Sequence, residues 1–127
     1  MHFNIDQASD RPVYQQIIDQ VKRDIALKRS KIGEKLPTVR ELAAQLIINP
    51  NTIAKAYRQL EQDGIIVTKP GSGAFIAQLD THLSEQVRKK IIAQQLELLV
   101  VDAVHMQIDP QKLRQWFETT ITRFHMK

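Results

Sequence analysis

The chain has 127 residues, 43% of them hydrophobic and 25% charged, with a formal net charge of +4 and no cysteine. That length suits one ordinary domain plus a small appendage, and the apolar share argues against a disordered chain. Without cysteine there are no disulfides or thiolate metal sites, and the basic excess permits a nucleic-acid partner without requiring one.

The excess is uneven. Residues 1–77 hold 11 Lys/Arg against 8 Asp/Glu, whereas residues 78–127 hold 7 against 6. The opening MHFNIDQ lacks the basic start and apolar core of a secretory signal. No apolar run approaches the roughly 18–20 residues of a membrane span. The expectation is a cytoplasmic protein with no membrane contact.

Residues 1–11 read as an extended lead-in. Pro12 suits the first turn of a helix, where a missing N–H costs nothing. Val13, Ile17, Val21 and Ile25 recur at four-residue spacing, with Tyr14, Ile18 and Leu27 beside them, which predicts an amphipathic helix to about Leu27. Lys28 to Lys35 reads as a basic connector. Thr38 and Glu41 then form a capping box, starting a helix from Val39 to about Leu46 that buries Val39, Leu42, Ala43 and Leu46.

A second start follows after only about three residues. Asn49 can cap and Pro50 suits the first helical position. Ile53, Ala56, Tyr57 and Leu60 make the buried stripe, and Gly64 fits the position just past the C-terminus. Ile65 to Thr68 and Ala74 to Ala77 are strand-like runs around Lys69-Pro70-Gly71-Ser72-Gly73, a hairpin signal. Residues 78–82 read as a linker. Leu83 to Met106 then predicts one helix, and Asp109-Pro110 starts a last one with Leu113, Trp116, Phe117, Ile121 and Phe124 on one face.

The expected fold is mainly α with a small β-hairpin (α+β). It is a winged helix-turn-helix over residues 1–77, followed by a two-helix dimerisation region over 78–127. The helix from Pro50 to about Asp63 would be the reading element. Asn51, Thr52 and Lys55 face outward near its N-terminal end, with Arg58 and Gln59 one turn on. Such an end meets base edges in a major groove, where Asn pairs with adenine and Lys reaches guanine or phosphate. Taken alone, Asn51 and Thr52 are as readily polar surface. Lys35, Thr38 and Arg40 cluster at the start of the preceding helix, whose free N–H groups suit phosphate. Lys69, Gly71, Ser72 and Gly73 give a bare, basic wing tip able to approach a sugar-phosphate chain.

The last two helices have another character. Leu96 to Val104 is apolar nearly all round, broken only by Glu97 and Asp102. One neighbour cannot cover such a surface, and a second copy of the chain can, through Leu96, Leu99, Val100, Ala103, Trp116 and Phe117. Enzyme signals are poor. His2, His82, His105 and His125 form no i,i+4 pair, and Ser30, Ser72 and Ser84 lie in no nucleophile motif. No metal or cofactor is expected. A winged helix that docks a protein remains the alternative, though Asn51, Thr52, Lys55 and Arg58 make a polar outer face that suits it less.

The segments PVYQQIIDQVKRDI, GEKLPTVRELAAQL, NPNTIAKAYRQLEQDGII and GSGAFIA resemble, in order, the winged helix of the GntR family of bacterial transcription regulators, over about residues 5–77. NPNT, AYRQLE and a tail of about fifty residues are similar to its YtrA-like subfamily. The resemblance implies DNA contacts at Arg40, Asn51, Thr52 and the Gly71–Gly73 wing. It further implies a homodimeric repressor on an inverted-repeat operator, often of its own operon and neighbouring transporter genes. Three positions depart from the family pattern. Pro50 stands where a basic residue is frequent, Lys28 replaces a helix-ending glycine, and Ile47 occupies a turn position where glycine is usual.

Overall fold

The computed structural model describes residues 1–79 and 82–124. The linker positions 80 and 81, and His125 with the two residues after it, lie outside the described residues. The chain divides into two units, Met1–Asp80 and Thr81–Lys127.

The first unit is built on three helices, α1 (Val13–Ala26), α2 (Val39–Leu46) and α3 (Pro50–Gln62), and a hairpin of β1 (Ile66–Lys69) and β2 (Gly73–Ile76). α3 packs against α1, α2 and β1, so it is central. Ile17, Ile18 and Val21 from α1 meet Leu42 of α2, Ile53 and Leu60 of α3 and Ile66 and Ile76 of the hairpin in one buried core. Each fully buried aliphatic side chain there contributes roughly 1.5–3 kcal/mol. The helix starts follow local chemistry. The Thr38 hydroxyl accepts from the Glu41 N–H at 3.1 Å and the Asn49 side-chain Oδ1 from the Asn51 N–H at 2.8 Å, satisfying N–H groups that have no helical partner.

The helix ends share one device. Beyond each of α1 to α3 comes a left-handed residue, Lys28 (φ 60°), Ile47 (φ 54°) and Gly64 (φ 74°). The following N–H bonds back five residues: Arg29 to Asp24, Ile48 to Ala43 and Ile65 to Leu60, at 2.8–3.0 Å. This is the Schellman arrangement, which closes the last turn and reverses the chain. Ile48 and Ile65, the residues after the reversal, pack on the core. Two of these three positions lack the glycine that the conformation favours.

Two features were not legible beforehand. The stretch from Gly33 to Leu36, expected as a connector, is a third edge of the hairpin sheet. Gly33 N–H donates to Ile76 O, Ile76 N–H to Glu34 O and Leu36 N–H to Ala74 O, at 2.8–2.9 Å, on the side of β2 away from β1. Leu36 is thereby buried. The lead-in is likewise fixed. Gln16 and Gln20, one turn apart on α1, bind backbone of residues 2–11: Gln16 exchanges bonds with Asp6 (both 2.8 Å) and Gln20 bonds Asn4 N–H and His2 O. Phe3 enters the core beside them.

The second unit holds α4 (Glu85–His105) and α5 (Pro110–Arg123), capped by Ser84 and Asp109. Gln107 (φ 57°) and the Ile108 N–H to Ala103 O bond repeat the same helix-ending device. α4 is about 32 Å long at 1.5 Å per residue.

Candidate nucleic-acid interface

α3 presents its outer face as Asn51, Lys55, Arg58 and Gln59, with Thr52 half-buried. The opposite face is held by Ile53, Ala56, Tyr57 and Leu60 in the core. Asn49 occupies the cap, so the Asn51 side chain itself has no hydrogen bond among the described residues. Arg58 and Arg40 are likewise exposed and unpaired there. Asp63, just past α3, is taken by Lys22 (3.7 Å) and Gln59 (3.1 Å). An unpaired guanidinium and an unpaired amide keep their full donor sets for a partner.

The structure separates the remaining basic residues. Lys55 folds back, with Nζ 3.9 Å from the centre of the Tyr14 ring on α1, so its charge lies against an aromatic face. Lys35 lies on the chain leading into α2. It pairs opposite Phe75 in the sheet, and its side chain crosses the wing, where a Cβ on Gly73 would meet Lys35 Cε at 3.0 Å. Lys69 Nζ lies 5.0 Å from the Phe75 ring. Two lysines therefore serve one wing.

The wing tip is a tight turn. Ser72 N–H donates to Lys69 O at 2.9 Å across Pro70 and Gly71, and Gly71 has φ 78°. Proline followed by a positive-φ glycine is the type II pattern. Gly71 has open space around it.

A groove of about 310 Å³ runs between α3 and the wing, lined by Thr38 and Val39, by Ala54, Tyr57, Arg58 and Glu61, and by Thr68, Gly73 and Ala74. Its geometry is set by Tyr57, whose hydroxyl donates to Pro37 O at 2.7 Å and ties α3 to the start of α2. Burial, and secondarily the Glu41 carboxylate, raise the Tyr57 pKa well above the ordinary phenol value, so it stays a donor. Sequence reading gave Tyr57 only a packing role.

Of the tail residues, Leu96, Leu99, Val100, Trp116 and Phe117 are all exposed, at 39–51%. Ala103 is already buried in the single chain. Val87, Ile91, Ile92, Leu98, Val101 and Val104 are exposed as well, so the apolar surface of α4 is wider than the expected set. Among the described residues no group of histidines and carboxylates could hold a metal, and no helix is long and apolar enough to cross a membrane.

Residues 13–76 match the family model of bacterial regulatory proteins of the gntR family. The HTH-type transcriptional repressor YtrA of Bacillus subtilis (strain 168) is 42% identical over 115 residues, covering 90% of this chain and 88% of that protein. A crystal structure of a transcriptional antiterminator from Listeria monocytogenes EGD-e is similar with TM-score 0.84 at 29% identity, covering 94% of this chain and 90% of that one. AraR(DBD), solved in complex with operator ORE1, is similar with TM-score 0.51 at 26% identity, over 61% of this chain and 94% of that one.

Proposed function

Because the chain belongs to the GntR family of DNA-binding transcription regulators, which are not enzymes, we propose that it is a homodimeric repressor reading an inverted-repeat operator. The observation that carries this reading is the outer face of α3, where Asn51 and Arg58 stand exposed and unpaired, with unpaired Arg40 on α2. Asn51 and Thr52 read base edges from the first turn of α3, and Arg40 reaches a guanine edge or phosphate. Thr38 lends its helix start to phosphate, while Lys35, Lys69 and the Gly71–Gly73 backbone hold the flanking strand. Lys55 and Arg58 add charge around the helix. The operator complex of AraR(DBD) supports a DNA ligand for this kind of domain.

The tail supports the two-fold arrangement. In the single chain α4 leaves Leu96, Leu98, Leu99, Val100, Val101 and Val104 in water, and a second copy covers them. The dimer spaces two reading helices one turn of DNA apart or a multiple of it. Similarity to the transcriptional repressor YtrA of Bacillus subtilis supports repression; the resemblance to the YtrA-like subfamily extends the proposal to its own operon and neighbouring transporter genes, in the cytoplasm.

Selection from a random duplex pool, repeated at two salt concentrations, tests the reading. The expected result is an enriched inverted repeat whose binding weakens with salt. Salt-labile binding with no enriched sequence would refute sequence-specific regulation.

A further inference from the structure

A second cleft, of about 500 Å³, opens at the C-terminal end of α1 and shares no residue with the groove beside α3. Its walls are Met1, His2 and Asn4 from the lead-in, Gln20, Arg23 and Asp24 from α1, and Arg29 and Ser30 from the reversal that follows; the Met1 ammonium there is paired with Glu34 at 3.9 Å. We propose that this cleft is a binding site for a small zwitterion of the α-amino-acid class, with its ammonium at Asp24 and its carboxylate at Arg23 and Arg29.

Asp24 is the central observation. It is 8% exposed, yet its carboxylate accepts no hydrogen bond and forms no ion pair among the described residues. Only its backbone oxygen is used, by Arg29 and Ser30 N–H. Among the described residues no buried side-chain oxygen is sealed away without a partner, so the carboxylate retains its opening to the cleft it lines. Ser30 is similar, 5% exposed with an uncommitted hydroxyl. Buried polar groups are nearly always bonded, and these two face a cavity of ligand size.

The charge pattern selects the ligand. Arg23 and Arg29 make no hydrogen bond or ion pair among the described residues, and Arg23 acts on Asp19 only through longer-range attraction. A simple anion would suit the arginines and be repelled by Asp24. A simple cation would face the reverse conflict. A molecule carrying both charges satisfies both, and the negative end of the α1 dipole adds to the attraction for its ammonium. Gln20 is unavailable as a reader, since its amide already holds Asn4 and His2 backbone, so it acts as a fixed wall.

The site needs no DNA, so its test is independent of the operator reading. Free protein labelled for amide NMR is titrated with each proteinogenic amino acid, then with the N-acetyl and C-amide derivatives of any that binds. At least one amino acid is expected to shift the amides of Asn4, Arg29 and Ser30, and each derivative to bind about tenfold or more weakly. Asp24→Asn should weaken the free amino acid but not its N-acetyl derivative, and Arg29→Gln should weaken the free amino acid but not its amide. Arg29 is exposed, so its variant keeps the test available if Asp24→Asn fails to fold. The proposal is overturned if no amino acid shifts these amides at about 10 mM. It is also overturned if the derivatives bind as well as the parent, or if inorganic phosphate binds more tightly than any amino acid.

Discussion

Ile47→Gly should raise the melting temperature. Ile47 sits at φ 54°, ψ 54°, where a β-branched residue is a steric outlier. The left-handed conformation costs about 1–2 kcal/mol for a residue with a β-carbon. The side chain is 89% exposed, so its removal forfeits almost no burial. Glycine adds freedom to the unfolded chain at a cost of about 0.4–1 kcal/mol. The difference leaves a net gain of about 0.8 kcal/mol, or roughly 3–6 °C in a domain of this size. Thermal melts followed by helical circular dichroism would read it. Two controls isolate the cause. Ile47→Ala keeps the β-carbon and should gain little, whereas Gly64→Ala, at φ 74° with open space around it, should lose stability through backbone strain alone. An unchanged or lower melting point for Ile47→Gly, or an equal gain from alanine, would refute the strained-turn argument.

Other perturbations probe the interface, the tail and the core. Arg40→Ala should weaken operator binding by about 1–3 kcal/mol if it meets a base, measured by fluorescence anisotropy; unchanged affinity removes Arg40 from the site. Leu99→Asp should give monomers in sedimentation analysis and lower operator affinity, and a persistent dimer would place the interface elsewhere. Tyr57→Phe removes the bond to Pro37 O and should cost about 0.5–1.5 kcal/mol in urea melts. Asp19→Asn tests a pH effect. Partial burial raises the Asp19 pKa, but hydrogen bonds from Arg11 and Gln15 outweigh it and hold it below 3.8. Its folded pKa is thus depressed, so its stabilisation is present above the unfolded value and is lost as pH falls through the folded one. The variant should therefore lose less stability than the parent on acidification below about pH 4, read by melts across that range.

Local signals located the helices closely. Pro12, Thr38, Asn49-Pro50 and Asp109-Pro110 mark starts whose chemistry lies within a few residues, and the observed helices begin there. The strands were each displaced by one residue: the ladder runs from Ile66–Ile76 to Lys69–Gly73, with Ile65 and Ala77 joined just beyond it by the Ala77 N–H to Ile65 O bond. What stayed hidden depends on distant partners. Nothing near Gly33–Leu36 announces a strand whose partner is Ala74–Ile76, and Phe3 gives no sign that glutamines on α1 will hold it inward. At the interface, Asn51 and Arg40 are exposed as expected because their elements set their directions. Lys55 and Lys35 were less legible, because a lysine's long stem follows whichever ring or strand tertiary contact supplies.

The third sheet edge also governs how this domain can come into being. The helix-turn-helix lies in the chain between two segments that pair with each other, so bringing Leu36 to Ala74 closes a loop that contains α2 and α3. Such a long loop makes the pairing late and cooperative in folding. A nascent chain ending at Gly64 would hold both helices yet leave the Glu34 and Leu36 backbone groups unpaired. α3 should therefore not serve as a short transplantable module: evolution, or a designer, must move residues 1–77 as one piece.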